Sequence, residues 1–475
     1  MLAIGHAPAT ADSGFPNIPG LPGLPKDSGP SPLQQWIDQH IPSPIAPAPV
    51  VKSPEPATDR PADSPGPRKL RPDISALWHS VLAAPSGDPL FDEWPRNLDA
   101  LKPGEIVEWR DVTWPAALLV LVPIQRAVLL KYRTSDASGA PSFATATLVI
   151  PAAPWTGNGT RPVMVNALPI NSLGRRCTPG YAMAHGFHSD FNGGDLFPPT
   201  TGWAASRGYA VLIPDHEGPW MSYAEPNVAG HAMLDAIRAV RAMLPDQFGE
   251  SRYAMGGYSG GAIASYGAAM LVDEYAPELS KVLVGATMGG LATDYRKIAH
   301  RFNGNSASGI LLAATLAIAR EYPEILSRMN HLAQWVASSP FKDTCGTSNG
   351  PLGAIGLPIE VAANIANPLD GEIAETIYRQ TNLTGRTSGT PLYVYHAAHD
   401  FWIPIEGADE LFHTQCARGV PAVYRTEPGE HVIALGVGFG GAINWLDARL
   451  RGDTAPNECP VAPKETKPTG QQPIR

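Results

Sequence analysis

Charge is scarce in this chain. Asp, Glu, Lys and Arg make up 17% of its 475 residues, below the ~25% of ordinary soluble domains. The net charge is -9. No basic field exists to draw in nucleic acid, so that class of partner is excluded. Long apolar runs are missing as well. Runs such as Ala116–Val122 and Gly309–Ala319 fall short of the ~18 residues a membrane span needs. Cysteine is limited to four residues, at positions 177, 345, 416 and 459. None are spaced Cys-x-x-Cys and no His stands at a zinc-ligand interval, so no metal is expected. An even, sparse set suits two disulfides in an exported protein, with three pairings open. Four unrelated buried thiols are the alternative for a cytosolic one.

Gly and Pro, by contrast, are plentiful, 97 of 475 residues. This loop-rich profile argues against a coiled coil. Residues 1–70 carry 16 of the 50 prolines and are expected to be disordered or polyproline-like, because Pro at every third position in Pro16–Pro25 blocks helix and sheet alike. The arm reads as a wall-spanning spacer or, more simply, as an unselected linker. An amphipathic piece, Leu33–His40, interrupts it. Ala9-Thr10-Ala11 has the small-x-small pattern of a signal-peptidase site, without a basic or fully apolar region before it. The expected location is secreted or envelope-associated, with a truncated or missing signal peptide.

From about residue 105 strand and helix signals alternate. Glu105–Trp114, Arg126–Arg133 and Phe143–Pro151 read as antiparallel strands, the last two joined by a turn over Ser135–Ala140. Pro162–Leu168, Tyr209–Pro214, Tyr253–Met255, Val282–Ala286, Leu392–Tyr395 and Ala422–Arg425 are short apolar runs bounded by breakers, as buried parallel strands are. Helical patterns fall at Ala232–Leu244, Gly261–Leu271, Gly407–Gln415 and Ala442–Leu450. The fold class is therefore α/β, a mostly parallel sheet flanked by helices. Residues 291–389 break the rhythm with helical stripes such as Ile325, Met329, Leu332 and Val336, and read as a helical cap inserted between two core segments, 71–290 and 390–475.

The chemistry centres on Gly257-Tyr258-Ser259-Gly260-Gly261, between an apolar strand and an Ala-rich helix. A nucleophile elbow needs this pattern: a serine on a strained turn, glycines where strand and helix pass closely, and a helix N-terminus under the developing negative charge. The Gly260 N–H is one expected oxyanion donor. A hydroxyl needs a base, and in this fold acid and histidine follow the serine in that order. Asp400 follows the strand Leu392–Tyr395 and His431 follows Ala422–Arg425, both at strand carboxyl ends. His396 and His399 stand too close to Asp400 to match the order. His413 and Asp409 fall within a helix, and Asp215 reads as a turn residue.

These residues, together with Tyr132-Arg133-Thr134-Ser135-Asp136, Cys177-Thr178-Pro179-Gly180-Tyr181, Leu234–Ala239, Tyr395-His396, Pro404 and Trp445-Leu446, give a chain that resembles the secretory lipases of fungi and actinobacteria, of the Candida antarctica lipase A type, over roughly residues 85–460. The resemblance implies an α/β-hydrolase fold with a lid between its sixth and seventh strands. It implies the disulfides Cys177–Cys345 and Cys416–Cys459, no cofactor, and hydrolysis of lipid or other carboxylic esters through Ser259, Asp400 and His431, with transient contact to a lipid interface. The loop Pro169–Gly174 departs from the usual His-Gly-Gly pattern. By the resemblance Asn171 stands where the family carries an Asp, either as a second oxyanion donor or as a residue that tolerates an unusual turn. An acyltransferase with the same triad and an inert binding scaffold are the alternative functions.

Overall fold

The computed structural model describes residues 29–45, 70–187, 199–346 and 356–460. Ala9–Ala11 and Pro16–Pro25 lie outside them.

Nine strands among the described residues form one sheet: β1 (Ile106–Asp111), β2 (Ile124–Ser135), β3 (Pro141–Pro151), β4 (Val163–Ala167), β5 (Ala210–Pro214), β6 (Tyr253–Tyr258), β7 (Leu283–Gly289), β8 (Leu392–Ala397) and β9 (Ala422–Glu427). Their order is β1-β2-β3-β5-β4-β6-β7-β8-β9. Pairing is antiparallel from β1 to β5 and parallel from β5 onward. β4 starts the parallel block one strand in from its edge, with β5 on one side and β6 on the other, so the crossovers diverge there and leave a crevice at the strand carboxyl ends.

Strands β4 to β8 are buried on both faces, which is why they read as short apolar runs, whereas β1 is largely exposed. Val163 and Val165 pack under the helices Pro226–Met243 and Gly260–Tyr275, while Met164 between them faces the other way, toward the last helix. The hairpin β2–β3 turns over residues 136–140, where Asp136 Oδ1 accepts the N–H groups of Ser138 (2.9 Å) and Ala140 (2.8 Å).

Several expected boundaries differ, and three of them have a visible cause. The first strand stops at Asp111, because Asp111 Oδ1 accepts the Thr113 N–H and a helix, Thr113–Val120, begins there with Pro115 in its first turn. The last helix starts at His431, eleven residues before the expected Ala442, and is capped by Glu430, whose carboxylate accepts the N–H groups of Val432 and Ile433. The stripe Ile325–Val336 is two elements, a 3-10 helix Pro323–Arg328 and a helix His331–Ser338 that Asn330 caps. All four stripe residues line one cavity, so their spacing reports a shared wall.

Between β7 and β8, the sixth and seventh strands when counted from β2, the chain leaves the sheet. The described residues there hold short helices and a single isolated bridge, Met329–Ala363. Part of the arm 1–70, expected to be disordered, packs on this region. The helix Pro32–His40 is closed by a capping box of Ser31 and Gln34, and Gln34 Nε2 donates to the carbonyls of Glu360 (2.7 Å) and Ile365 (2.6 Å). The helix Pro72–Val81 packs here too, Trp78 Nε1 donating to the Arg320 carbonyl (2.9 Å).

Cys177 is bonded to Cys345 and Cys416 to Cys459, across sequence separations of 168 and 43. Crosslinks over such spans restrict the unfolded chain, worth about 2–4 kcal/mol each in the chain-entropy model. Cys416→Ser is expected to lower urea-unfolding stability by roughly that amount. Peptide mapping without reduction should recover these two pairs; Cys177 linked to Cys416, or four free thiols in exported material, would contradict them.

Candidate active site

Ser259 lies directly after β6 and caps the helix Gly260–Tyr275. Its backbone has φ +53°, a left-handed conformation costly for a residue with a Cβ. Neighbours hold it there: Ser259 N–H donates to Gly289 O (2.8 Å), and its carbonyl accepts from Ile263 N–H (3.1 Å). The turn admits no side chain at Gly257, where a Cβ would stand 2.2 Å from the Gly261 carbonyl oxygen.

His431 Nε2 is 3.0 Å from Ser259 Oγ, and His431 Nδ1 is 2.6 Å from Asp400 Oδ2. The other oxygen, Asp400 Oδ1, accepts the N–H groups of Trp402 (2.9 Å) and Ile403 (2.8 Å). Burial alone would raise the Asp400 carboxyl. The hydrogen bonds from His396, His431 and Ile403 outweigh it and hold the group far below the usual carboxylate range. An ionised carboxylate only accepts hydrogen bonds. The imidazole proton therefore sits on Nδ1, and Nε2 is free to accept from the serine hydroxyl. Tyr258 and Trp402 flank the ring at centroid distances of 5.0 and 5.5 Å, and Tyr258 donates its hydroxyl hydrogen to the His431 carbonyl.

The loop after β4 lies against Gly260. Asn171 has φ +49°, and a Cβ added to Gly260 would stand 1.8 Å from Asn171 Oδ1. The loop is bound to two other segments. Ser172 N–H donates to Glu217 Oε1 (3.4 Å), Gly346 N–H to Ser172 Oγ (3.0 Å) and Leu173 N–H to Thr344 O (2.9 Å). His216, pushed down to about 4 by burial, donates from Nε2 to the Leu168 carbonyl (2.7 Å).

The competing candidates fall elsewhere. His399 and His413 are exposed, Asp409 is half-buried, and Asp215 is buried, accepting the Gly180 N–H (2.7 Å). His396 is closer to the chemistry than its position in the chain implies. Fully buried, its Nε2 lies 3.0 Å from the Ile403 carbonyl and 3.4 Å from Asp400 Oδ2, a second imidazole against the same carboxylate. Arg320 is a second residue whose role its place in the chain does not show. It is fully buried and donates to the carbonyls of Val81, Leu173, Trp220, Met221 and Lys342, which pins the Asn171 loop to the inserted segment. An arginine ending the apolar run Gly309–Ala319 was the available signal.

Above Ser259 opens a cavity of about 290 Å³. Ser259 and Gly260 form its floor, and Ile263, Leu311, Leu316, Met329 and Ile377 are among its walls. Most of the wall comes from the segment inserted between β7 and β8. Among the described residues no group of His, Cys, Asp and Glu has the geometry of a metal site.

The profile of the family described as secretory lipase matches residues 203–458, more than half of the chain. The chain belongs to the secretory lipase family. Lipase 10 of Candida albicans is 28% identical over 408 residues, covering 81% of this chain and 86% of that one. A probable inactive lipase of Mycobacterium tuberculosis is 27% identical over 381 residues, covering 78% and 83%. The structure of Candida antarctica lipase A in its closed state superposes with a TM-score of 0.70 at 25% identity, over 79% of this chain and 89% of that one. This secretory lipase therefore has the α/β-hydrolase fold and is a carboxylic ester hydrolase.

Proposed function

We propose that this secretory lipase is exported and cleaves lipid esters through Ser259, His431 and Asp400, with the acyl chain in the cavity roofed by a cap of residues 291–389. The unbroken hydrogen-bonded line from Ser259 Oγ through the imidazole to Asp400 carries the reading. Ser259 Oγ attacks the ester carbonyl carbon while His431 Nε2 takes its proton. Asp400 stabilises the imidazolium and keeps its orientation. The Gly260 N–H, at a helix N-terminus, and Asn171 receive the charge on the former carbonyl oxygen. His431 then protonates the departing alcohol, and water releases the acid from the acyl-enzyme by the same steps. The apolar wall excludes water from the chain and gives it a concave surface to fill.

One relative bears the name of an inactive lipase, so the inert alternative has to be met directly. A fluorophosphonate probe is expected to label the native protein at the peptide carrying Ser259. Absence of labelling on folded protein defeats the catalytic reading.

For Asn171, the decisive replacement is Gly, which relaxes the left-handed backbone while removing the amide. Asn171→Gly is expected to lower kcat by ~10²–10³ with KM little changed. A drop below tenfold leaves the turn as its role.

A further inference from the structure

The wall of the cavity above Ser259 is apolar apart from a few groups, and among its described residues Arg328 alone is charged. Arg328 ends the 3-10 helix Pro323–Arg328, next to Ile325 and Met329 on the same wall. Its main chain is held in place, since the Arg328 carbonyl accepts the Asn364 N–H (2.9 Å) and Met329 bridges to Ala363. The side chain is half-buried, and its Nε is shut off from solvent with no hydrogen-bond partner among the described residues.

Two other arginines of the inserted segment, and two tyrosines of the cavity wall, are differently placed. Arg296 is paired with Glu375, and Arg320 donates to five carbonyls. The hydroxyls of Tyr295 and Tyr378, which also line the cavity, donate to the carbonyls of Ala224 and Leu369. Enclosing a guanidinium N–H without an acceptor costs free energy, and in Arg328 that group is the Nε–H. A carboxylate removes that cost, because its two oxygens match the guanidinium fork. An uncharged alkyl tail would leave the Nε–H unsatisfied.

We propose that the cavity takes acyl chains ending in a carboxylate, bound at Arg328 while the ester carbonyl lies at Ser259. The specificity rests on the hydrolase reading and narrows its substrate class to half-esters of dicarboxylic acids. The reaction itself is unchanged: water adds across the acyl C–O bond, giving the dicarboxylate and the alcohol.

The test compares nitrophenyl half-esters of linear dicarboxylic acids with nitrophenyl esters of plain fatty acids of equal length, over a series of medium to long chains. For the wild type, the ratio of kcat/KM between half-ester and plain ester is expected to peak at one chain length. In Arg328→Met that ratio should fall about tenfold to a hundredfold, the range of a charge-assisted hydrogen bond, and Arg328→Lys should recover part of it. Taking a ratio within each variant removes any loss of folded protein from the comparison. A ratio that is flat across the series, or equal in wild type and Arg328→Met, overturns the proposal while leaving the hydrolase intact. If the wild type cleaves neither ester, the hydrolase reading fails and the proposal with it.

Discussion

Ser259→Ala is expected to lower kcat by about 10⁶-fold on a soluble nitrophenyl ester, and His431→Ala by a similar factor. In the proposed mechanism the two groups act as one unit. Without the hydroxyl there is nothing for the imidazole to deprotonate. Without the imidazole, a hydroxyl of ordinary acidity is a poor nucleophile. The double variant should therefore be scarcely slower than either single one, with a residue of activity over water from oxyanion donors and binding alone. Single-turnover kinetics on variants of verified fold is the measurement. If the two losses multiply instead, Ser259 and His431 do not share one proton transfer, and the 3.0 Å contact between them has no part in the rate.

Asp400→Asn should cost about 10⁴-fold in kcat with the fold intact. The carboxylate only accepts, so it keeps the imidazole proton on Nδ1. An amide nitrogen facing Nδ1 would donate instead, move the proton to Nε2 and turn the base away from the serine. The surroundings add to the effect. Asp400 also faces His396 at 3.4 Å and two backbone N–H groups, and an amide cannot accept from all of them at once. The pH profile of kcat/KM gives a second readout. With Asp400 ionised across the whole assay range, the acidic limb should lack a separate carboxylate ionisation. Near-normal kcat in folded Asp400→Asn would move the role to another acid. Glu406 follows in the chain, but it is exposed at the start of the helix Ile405–Ala417.

The last helix shows where periodicity loses its hold. Its first turns run Gly436, Gly438, Gly440 and Gly441, residues that weaken any helical signal. Their reason is tertiary. A Cβ on Gly438 would meet the Tyr395 ring at 2.5 Å, so the helix lies on β8 only because that face is bare. The stripe Ile325–Val336 fails in the opposite sense. A spacing of helical type spans a break at Asn330, because all four side chains face one cavity from two elements. The helix Pro32–His40 is a third case. Nothing within the proline-rich arm indicates that Gln34 has carbonyl partners more than three hundred residues away.

What the amino-acid order determined by itself was local: apolar runs between breakers, which become strands covered on both faces, and an elbow whose glycines and serine meet the steric demands of one sharp turn. It also set the order in which Ser259, Asp400 and His431 follow their strands. Only the tertiary structure decided how they meet. Ser259 and His431 are 172 residues apart in the chain, and the register of β6 to β9 brings their side chains within 3.0 Å. It decided as well that His396 shares the carboxylate, that Arg320 ties the Asn171 loop to the inserted segment, and that Arg328 lines the cavity above Ser259. A sequence pattern reports which side of its own element a residue buries. Which other elements arrive on that side depends on strand register, crossover and packing across the whole sheet.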